Sequence, residues 1–198
     1  MNPNDIARHL TGAWRIARRD PEAAKYFDLS AAGFFRSFAA LALALPLILV
    51  ASAALWRMGQ TIDAIADLDF TSFATVQMGG EALNWIVYLT VMAAVARHLE
   101  LGASYSAYVI TFNWGVLMTS GLMLLPLGLF LIGIIGDEFA VMLTLPVFLL
   151  AAWYRWQIAR EVLGATPSAA MAILILDFVL GALLDQGLSR LLLTPVGA

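Results

Sequence analysis

Several stretches of this chain run for about twenty residues with almost no charged side chain, and this pattern limits what the chain can fold into. The clearest stretch, 37–56, contains no acidic or basic residue. A helix that crosses a membrane needs about 20 mostly apolar residues. Over the whole chain 62% of residues are apolar and 13% are charged, whereas soluble domains are about half apolar and a quarter charged. The sequence therefore predicts an all-α integral membrane protein, built as a polytopic helix bundle.

Five transmembrane helices are predicted within the bundle 34–198, at about 37–56, 82–99, 105–125, 139–157 and 168–193. The uncharged stretch 104–135 would be about 48 Å long as one helix, which is too long for a single crossing. Gly121, Pro126 and Gly128 predict a break near its end, and 127–135 would then lie at the interface. The alternative is that this stretch crosses twice, which gives six spans.

The distribution of charge along the chain predicts its orientation. Six of the eleven basic residues precede the first span: Arg8, Arg15, Arg18, Arg19, Lys25 and Arg36. Three more lie at the ends of spans two and four: Arg97, Arg155 and Arg160. Acidic residues dominate the alternate connections, so the positive-inside rule places the N-terminus in the cytoplasm and, with five spans, the C-terminus in the periplasm. Six spans would move Arg155 and Arg160 to the outer face, so the charges favour five.

The N-terminal segment 1–33 predicts two amphipathic helices at the membrane surface. Asn2 and Pro3 are typical of a helix start. Apolar residues then recur at helical spacing: Ile6, Leu10, Ala13, Trp14 and Ala17. Four arginines are candidates for contact with anionic lipid or for docking a cytoplasmic partner: Arg8, Arg15, Arg18 and Arg19. A second amphipathic segment is predicted between spans one and two: Ile62, Ile65, Leu68, Phe70 and Phe73.

The fifth predicted span carries carboxylates, which are costly inside a bilayer. Asp177, Gly181, Asp185 and Ser189 follow one another at four-residue steps and therefore share one helix face. In one interpretation Asp177 is protonated or is hydrogen-bonded to a neighbouring helix, and Gly181 permits close packing. In the other, the carboxylate binds a proton or a cation during transport. No second carboxylate is predicted at the centre of another span, which favours the structural interpretation.

Span three contains the most deeply placed amide, Asn113. Membrane helices use such side chains for interhelical hydrogen bonds. That role is the leading expectation for Asn113, and a contribution to a substrate site is the alternative.

Several kinds of chemistry are excluded or disfavoured. The chain has no cysteine, so disulfides and thiolate-held metals are impossible. Its two histidines, His9 and His98, are too few and too far apart for a typical metal site, and no cofactor is predicted. The net charge of −3 disfavours a nucleic-acid partner. No nucleophile elbow, HExxH motif or phosphate-binding glycine loop is present, so the chain is not expected to be an enzyme.

The layout of an N-terminal cytoplasmic segment followed by five closely spaced spans resembles the bacterial branch of the Yip-type (Ypt-interacting protein) membrane family. The entry to the first span, 26–30 and 33–38, also resembles small alphaproteobacterial membrane proteins. Asp28-Leu29 is not followed by the Tyr-Gly-Pro of eukaryotic Yip members. The resemblance implies a non-enzymatic membrane scaffold or organiser, and it assigns no site residues.

Together these features predict a structural, scaffold or accessory subunit of a membrane assembly in a bacterial cytoplasmic membrane. Its expected partners are the lipid bilayer and other membrane proteins or further copies of the chain. The first alternative is a small transporter or channel that uses Asp177 and Asn113. A membrane enzyme is the second alternative.

Overall fold

A computed structural model describes residues 2–60 and 62–193, with side chains described except at 63, 64 and 189–193. Every element in this part of the chain is helical, which confirms the all-α prediction. Eight α-helices follow in order: α1 Pro3–Ala17, α2 Ala31–Ser37, α3 Ala39–Gly59, α4 Asp63–Ala66, α5 Phe70–His98, α6 Tyr105–Leu131, α7 Asp137–Glu161 and α8 Pro167–Leu193. Short 3₁₀ turns lie at Ala23–Tyr26 and Gly102–Ser104.

Five helical segments of the described chain are long and apolar enough to cross a membrane, as predicted. They are Ala31–Gly59, Phe70–His98, Gly102–Leu131, Asp137–Glu161 and Pro167–Leu188. The first of these segments joins α2 to α3, which meet at Phe38.

The predicted break in the third span is wrong. α6 continues through Pro126 as one helix and ends at Leu131, close to Gly133, whose φ of +76° turns the chain. Membrane helices tolerate a proline because neighbouring groups compensate for the hydrogen bond that it removes. The stretch therefore supplies one crossing, and the described chain has five spans rather than six.

The second span is longer than predicted. α5 begins at Phe70 rather than at 82, and the side chain of Asp69 caps it by accepting a hydrogen bond from the Ser72 backbone N–H. Such a cap satisfies a backbone donor that has no partner within the helix. Gly79 and Gly80 do not interrupt this helix, so Glu81 lies inside it.

The long helices form a closed ring. α6 packs against α3 on one side and α7 on the other, α5 packs against α3, and α8 closes the ring between α5 and α7. α1 lies outside the ring, across α6 and α7. The ring brings helices that are distant in sequence, such as α5 and α8, next to each other.

The buried core is concentrated at the end of the ring where α1 packs. It combines the C-terminal halves of α5 and α7 with the N-terminal halves of α6 and α8. Tyr88, Tyr108 and Trp114 are almost fully buried there. α6 and α7 approach closely at Gly115, where an added Cβ would lie 2.6 Å from Cε1 of Tyr154. We call this the closed end of the bundle.

The N-terminal segment packs on protein, in contrast to the prediction that it lies in the plane of the lipid headgroups. The capping box of Asn2 and Asp5 starts α1 as expected. Its buried residues are His9, Gly12, Ala13 and Ile16. Trp14, expected on the apolar stripe, is 57% exposed. The buried face of α1 is made of smaller residues than the predicted apolar face, because Gly12 and Ala13 allow close contact with the bundle and with the turn that follows α1.

Candidate functional site

Asp177 is buried in α8 and forms an ion pair with Arg155 of α7. It is 5% exposed, and the guanidinium carbon of Arg155 lies 5.5 Å from the centre of the Phe112 ring. The sequence placed Arg155 at the end of its span. Instead, α7 continues to Glu161, so Arg155 lies inside the helix and reaches Asp177. The structural interpretation of Asp177 was therefore right about a bond to a neighbouring helix, but it missed the charged partner.

Asn113 joins three helices through its amide. Its Nδ2 donates to Ser37 Oγ at 2.9 Å, and its Oδ1 accepts from Trp85 Nε1 at 3.2 Å. Ser37 Oγ in turn donates to the Phe34 carbonyl at 2.7 Å. The side chain is fully buried, so these bonds satisfy polar atoms that water does not reach. Asn113 thus makes the interhelical hydrogen bonds that the sequence predicts.

Two tyrosine contacts extend the same network at the closed end. The hydroxyls of Tyr88 and Tyr108 lie 2.5 Å apart, and the Tyr105 hydroxyl donates to the Leu89 carbonyl at 2.7 Å. These bonds tie α5 to α6. They are expected to restrict the relative motion of the two helices.

The other end of the bundle contains a cleft between α5 and α8, with a volume of about 660 Å³. The connection between α3 and α5 covers it, because Ile62, Ile65 and Leu68 contribute to its wall. These residues were predicted as an amphipathic surface segment, and the structure places them over the cleft instead. Trp56 holds this connection by donating from Nε1 to the Leu68 carbonyl at 2.9 Å.

Gly181 and Asp185 line the cleft rather than a close helix contact. An added Cβ at Gly181 would meet only Asn84 Oδ1, at 4.0 Å, which is ordinary van der Waals distance. The expectation that Gly181 permits close packing is therefore wrong. The residues predicted to share one face of α8 therefore have different neighbours. Asp177 faces α7, whereas Gly181 and Asp185 face α5. The side chain of Ser189 lies outside the described residues.

Sequence reasoning missed the acidic group on the opposite wall. Glu81 and Asn84 of α5 line the cleft across from Asp185, and Glu81 lies within electrostatic reach of both Asp185 and Asp177. The span was predicted to begin at 82, which left Glu81 in a loop. The cap at Asp69 was the signal that the helix begins earlier.

The four candidate arginines of the N-terminal segment have different surroundings. Arg15 pairs with Asp20 at 2.9 Å and lies over the Tyr26 ring, and the Arg19 guanidinium carbon is 5.7 Å from the centre of the Trp153 ring. Arg8, Arg18 and Arg19 are exposed, whereas Arg15 is only partly exposed. The three exposed arginines are therefore the more accessible candidates for contact with lipid or a partner.

His9 lies at the contact between α1 and the bundle. Its ring stacks on Trp114 with centroids 4.5 Å apart and planes 7° apart, and its Nδ1 lies 2.6 Å from the Asp5 carbonyl. Burial lowers the pKa of His9 because the charged form loses hydration, although the hydrogen bond to Asp5 acts in the opposite direction. Arg8 also lowers this pKa. The neutral ring is therefore the form that suits the docked helix.

Comparison with known proteins gives no match: no family model, no curated protein and no solved structure matches this chain. The fold itself defines the broad class of this protein. It is an all-α protein with five described helices that are long and apolar enough to cross a membrane. At the closed end some of its polar side chains bond across helices, and at the other end polar side chains line an open cleft.

Proposed function

We propose that this protein is a non-catalytic subunit of a membrane assembly, with a structural, scaffold or accessory role. Its place would be a bacterial cytoplasmic membrane, with the N-terminus in the cytoplasm and the C-terminus in the periplasm. Other membrane proteins, or further copies of the chain, would be its partners together with the lipid bilayer. The concentration of basic residues before the first span supports this orientation.

The observation that carries this proposal is the bonding of polar side chains across helices at the closed end. Arg155 and Asp177 join α7 to α8, while Asn113 joins α6 to α2 and α5. Tyr88 and Tyr108 add a further bond between α5 and α6. Polar bonds between several helices hold the helices in one arrangement, which suits a structural part better than a moving one.

A small transporter or channel built on Asp177 and Asn113 is the second candidate. Both residues would have to exchange partners during a transport cycle, and both now hold partners on other helices. This candidate predicts that Asp177→Asn abolishes flux in liposomes while the protein still folds. Unchanged flux in this variant would exclude the transporter or channel. A membrane enzyme is the third candidate, and no observation favours it.

The exposed surface of α1 is the best-supported docking site for a partner. Trp14 is 57% exposed there, and Arg8 and Arg18 of the same segment are also exposed. Tryptophan and arginine are enriched in protein interfaces. The resemblance to Yip-type membrane organisers supports the same role.

The test is a photo-crosslinking experiment in native membranes. A photoreactive phenylalanine analogue replaces Trp14, and the matched control carries it at Ile134, which is 66% exposed at the other end of the bundle. We expect protein adducts of discrete mass from position 14 and not from position 134. Charge reversal by Arg8→Glu and Arg18→Glu should lower the yield at position 14 at least several-fold.

Two outcomes would contradict the proposal. Adducts with lipid alone at position 14 would make α1 a membrane anchor, and the same protein adducts at both positions would indicate random collision. Charge reversal is preferable to deletion of 1–20, because deletion would uncover the buried Trp114 and disturb the bundle itself.

A further inference from the structure

We infer that the cleft between α5 and α8 is a binding site for an organic cation that has an amine head and an apolar body. This inference goes beyond the proposed structural role and does not depend on it. It rests on three features of the cleft: its charge, an unused hydrogen-bond acceptor, and its shape.

The charge of the cleft is negative and is not balanced by the described residues around it. Glu81 and Asp185 face each other from α5 and α8, and neither forms an ion pair or a hydrogen bond with a described residue. Among the residues whose side chains are described, the cation that acts on Glu81 is Arg155, which is already paired with Asp177. Both residues are exposed in the bundle, so a cation that enters the cleft can reach both carboxylates and would be stabilised by both charges.

The unused acceptor is the amide oxygen of Asn84. Asn84 Oδ1 is shielded from solvent and accepts no hydrogen bond from the described chain, although nearly all buried acceptors in proteins have a donor. A Cβ added at Gly181 would lie 4.0 Å from this oxygen, and Asn84 itself lines the cleft, so the oxygen reaches a ligand there once the Asn84 side chain rotates toward the cleft. An ammonium group carries the N–H donors that this oxygen lacks, which favours an amine over a metal cation.

The shape and lining of the cleft determine the rest of the ligand. A volume of about 660 Å³ is within the range of sites for drug-sized molecules, which is about 300–1,000 Å³. Apolar side chains form most of the wall, among them Ile65, Phe73, Val76 and Leu184. A compact apolar body of one to four rings would fill this space while its amine reaches the carboxylates.

The experiment uses pyrenemethylammonium as the probe and pyrenemethanol as its neutral match. Both probes have the same apolar body, so both partition into the lipid of the nanodisc in which the protein is placed. Energy transfer from the protein's tryptophans to pyrene, titrated to saturation, reports the probe that lies next to the protein. We expect saturable binding of the ammonium at pH 7.5, at least tenfold tighter than any binding of the alcohol.

Three variants assign the binding to the cleft. Glu81→Gln combined with Asp185→Asn should weaken binding of the ammonium at least tenfold, and the control Asp137→Asn removes an exposed carboxylate outside the cleft and should leave it unchanged. If the double variant does not fold, Gly181→Leu provides the test. Its side chain would enter the cleft, and its Cβ meets only Asn84 Oδ1 at 4.0 Å. This variant should fold and lose saturable binding.

Either of two results would overturn the inference. Equal affinities for the ammonium probe and the alcohol probe would show that the cleft binds apolar molecules whether or not they carry a positive charge. Wild-type affinity in both the carboxylate variant and Gly181→Leu would place the probe elsewhere on the protein.

Discussion

The ion pair between Arg155 and Asp177 leads to an asymmetric prediction about stability. The side chain of Asp177 is 4% exposed, whereas that of Arg155 is 33% exposed. In Arg155→Met, Asp177 remains as an unpaired carboxylate in the interior of the bundle. In Asp177→Asn, the arginine keeps a hydrogen-bond acceptor and can turn its long side chain toward the surface. The first variant should therefore be the less stable one.

The size of each effect follows from the burial of the residue that is left behind. Removal of one partner from a buried ion pair costs about 3–5 kcal/mol, because the other charge stays buried. We expect a loss in this range for Arg155→Met and about 1–2 kcal/mol for Asp177→Asn, where one charged hydrogen bond is weakened. The double variant Arg155→Met with Asp177→Leu has no unpaired charge. Its stability should lie within about 2 kcal/mol of wild type, since apolar replacement of a buried pair is often neutral.

The measurement is the free energy of unfolding in mixed micelles, obtained by titration with a denaturing detergent and followed by tryptophan fluorescence. The prediction concerns the order of the variants: wild type most stable, then the double variant and Asp177→Asn, and Arg155→Met least stable. Equal losses for the two single variants, or a double variant less stable than Arg155→Met, would refute the reasoning about the buried charge.

Three further predictions concern the packing of the closed end and of α1. Asn113→Leu loses two interhelical hydrogen bonds and should destabilise the protein by about 1–3 kcal/mol, whereas Thr90→Val at an exposed position should be nearly neutral in the same assay. Gly12→Ala places a Cβ 2.7 Å from Tyr26 Cβ and should lower the melting temperature, whereas Gly79→Ala, with nothing within 4 Å, should not. Burial lowers the pKa of His9, so docking of α1 should weaken up to tenfold per pH unit below about pH 6.5. The distance between spin labels on α1 and α7 measures this docking. The variant His9→Gln should remove the pH dependence.

Each of these predictions has a clear contrary result. An Asn113→Leu variant as stable as Thr90→Val would show that the amide bonds contribute nothing. A neutral Gly12→Ala would mean that α1 does not pack tightly on the turn that follows it. A docking equilibrium of α1 that does not change between pH 6.5 and pH 5 in the wild-type chain would contradict the account of His9, in which the unfolded segment binds a proton that the docked one excludes.

The class of fold was predictable from the sequence because a membrane-crossing helix has a strong and local signature. Twenty apolar residues in a row identify a span whatever it packs against. The ends of the helices were less predictable, because they depend on caps and on neighbours. Pro126 suggested a break that the surrounding helices prevent, and Asp69 began α5 well before its apolar part.

The candidate site was predictable only in part. Asp177 and Asn113 were identified because polar residues stand out within apolar runs. Their partners were not, since the contacts of Asp177 with Arg155 and of Asn113 with Ser37 depend on which helices are neighbours in the ring. The cleft was missed for the same reason: it requires α5 and α8, which are far apart in sequence, to face each other.

The central claim is that this chain works as one part of a larger assembly. It is tested most directly by the mass and composition of the particle released from native membranes by a mild detergent. The account predicts a particle that contains a stoichiometric protein partner, or a defined number of copies of the chain, and that survives a second purification step. A lone monomer with lipid alone would contradict it and would move attention to transport through the bundle.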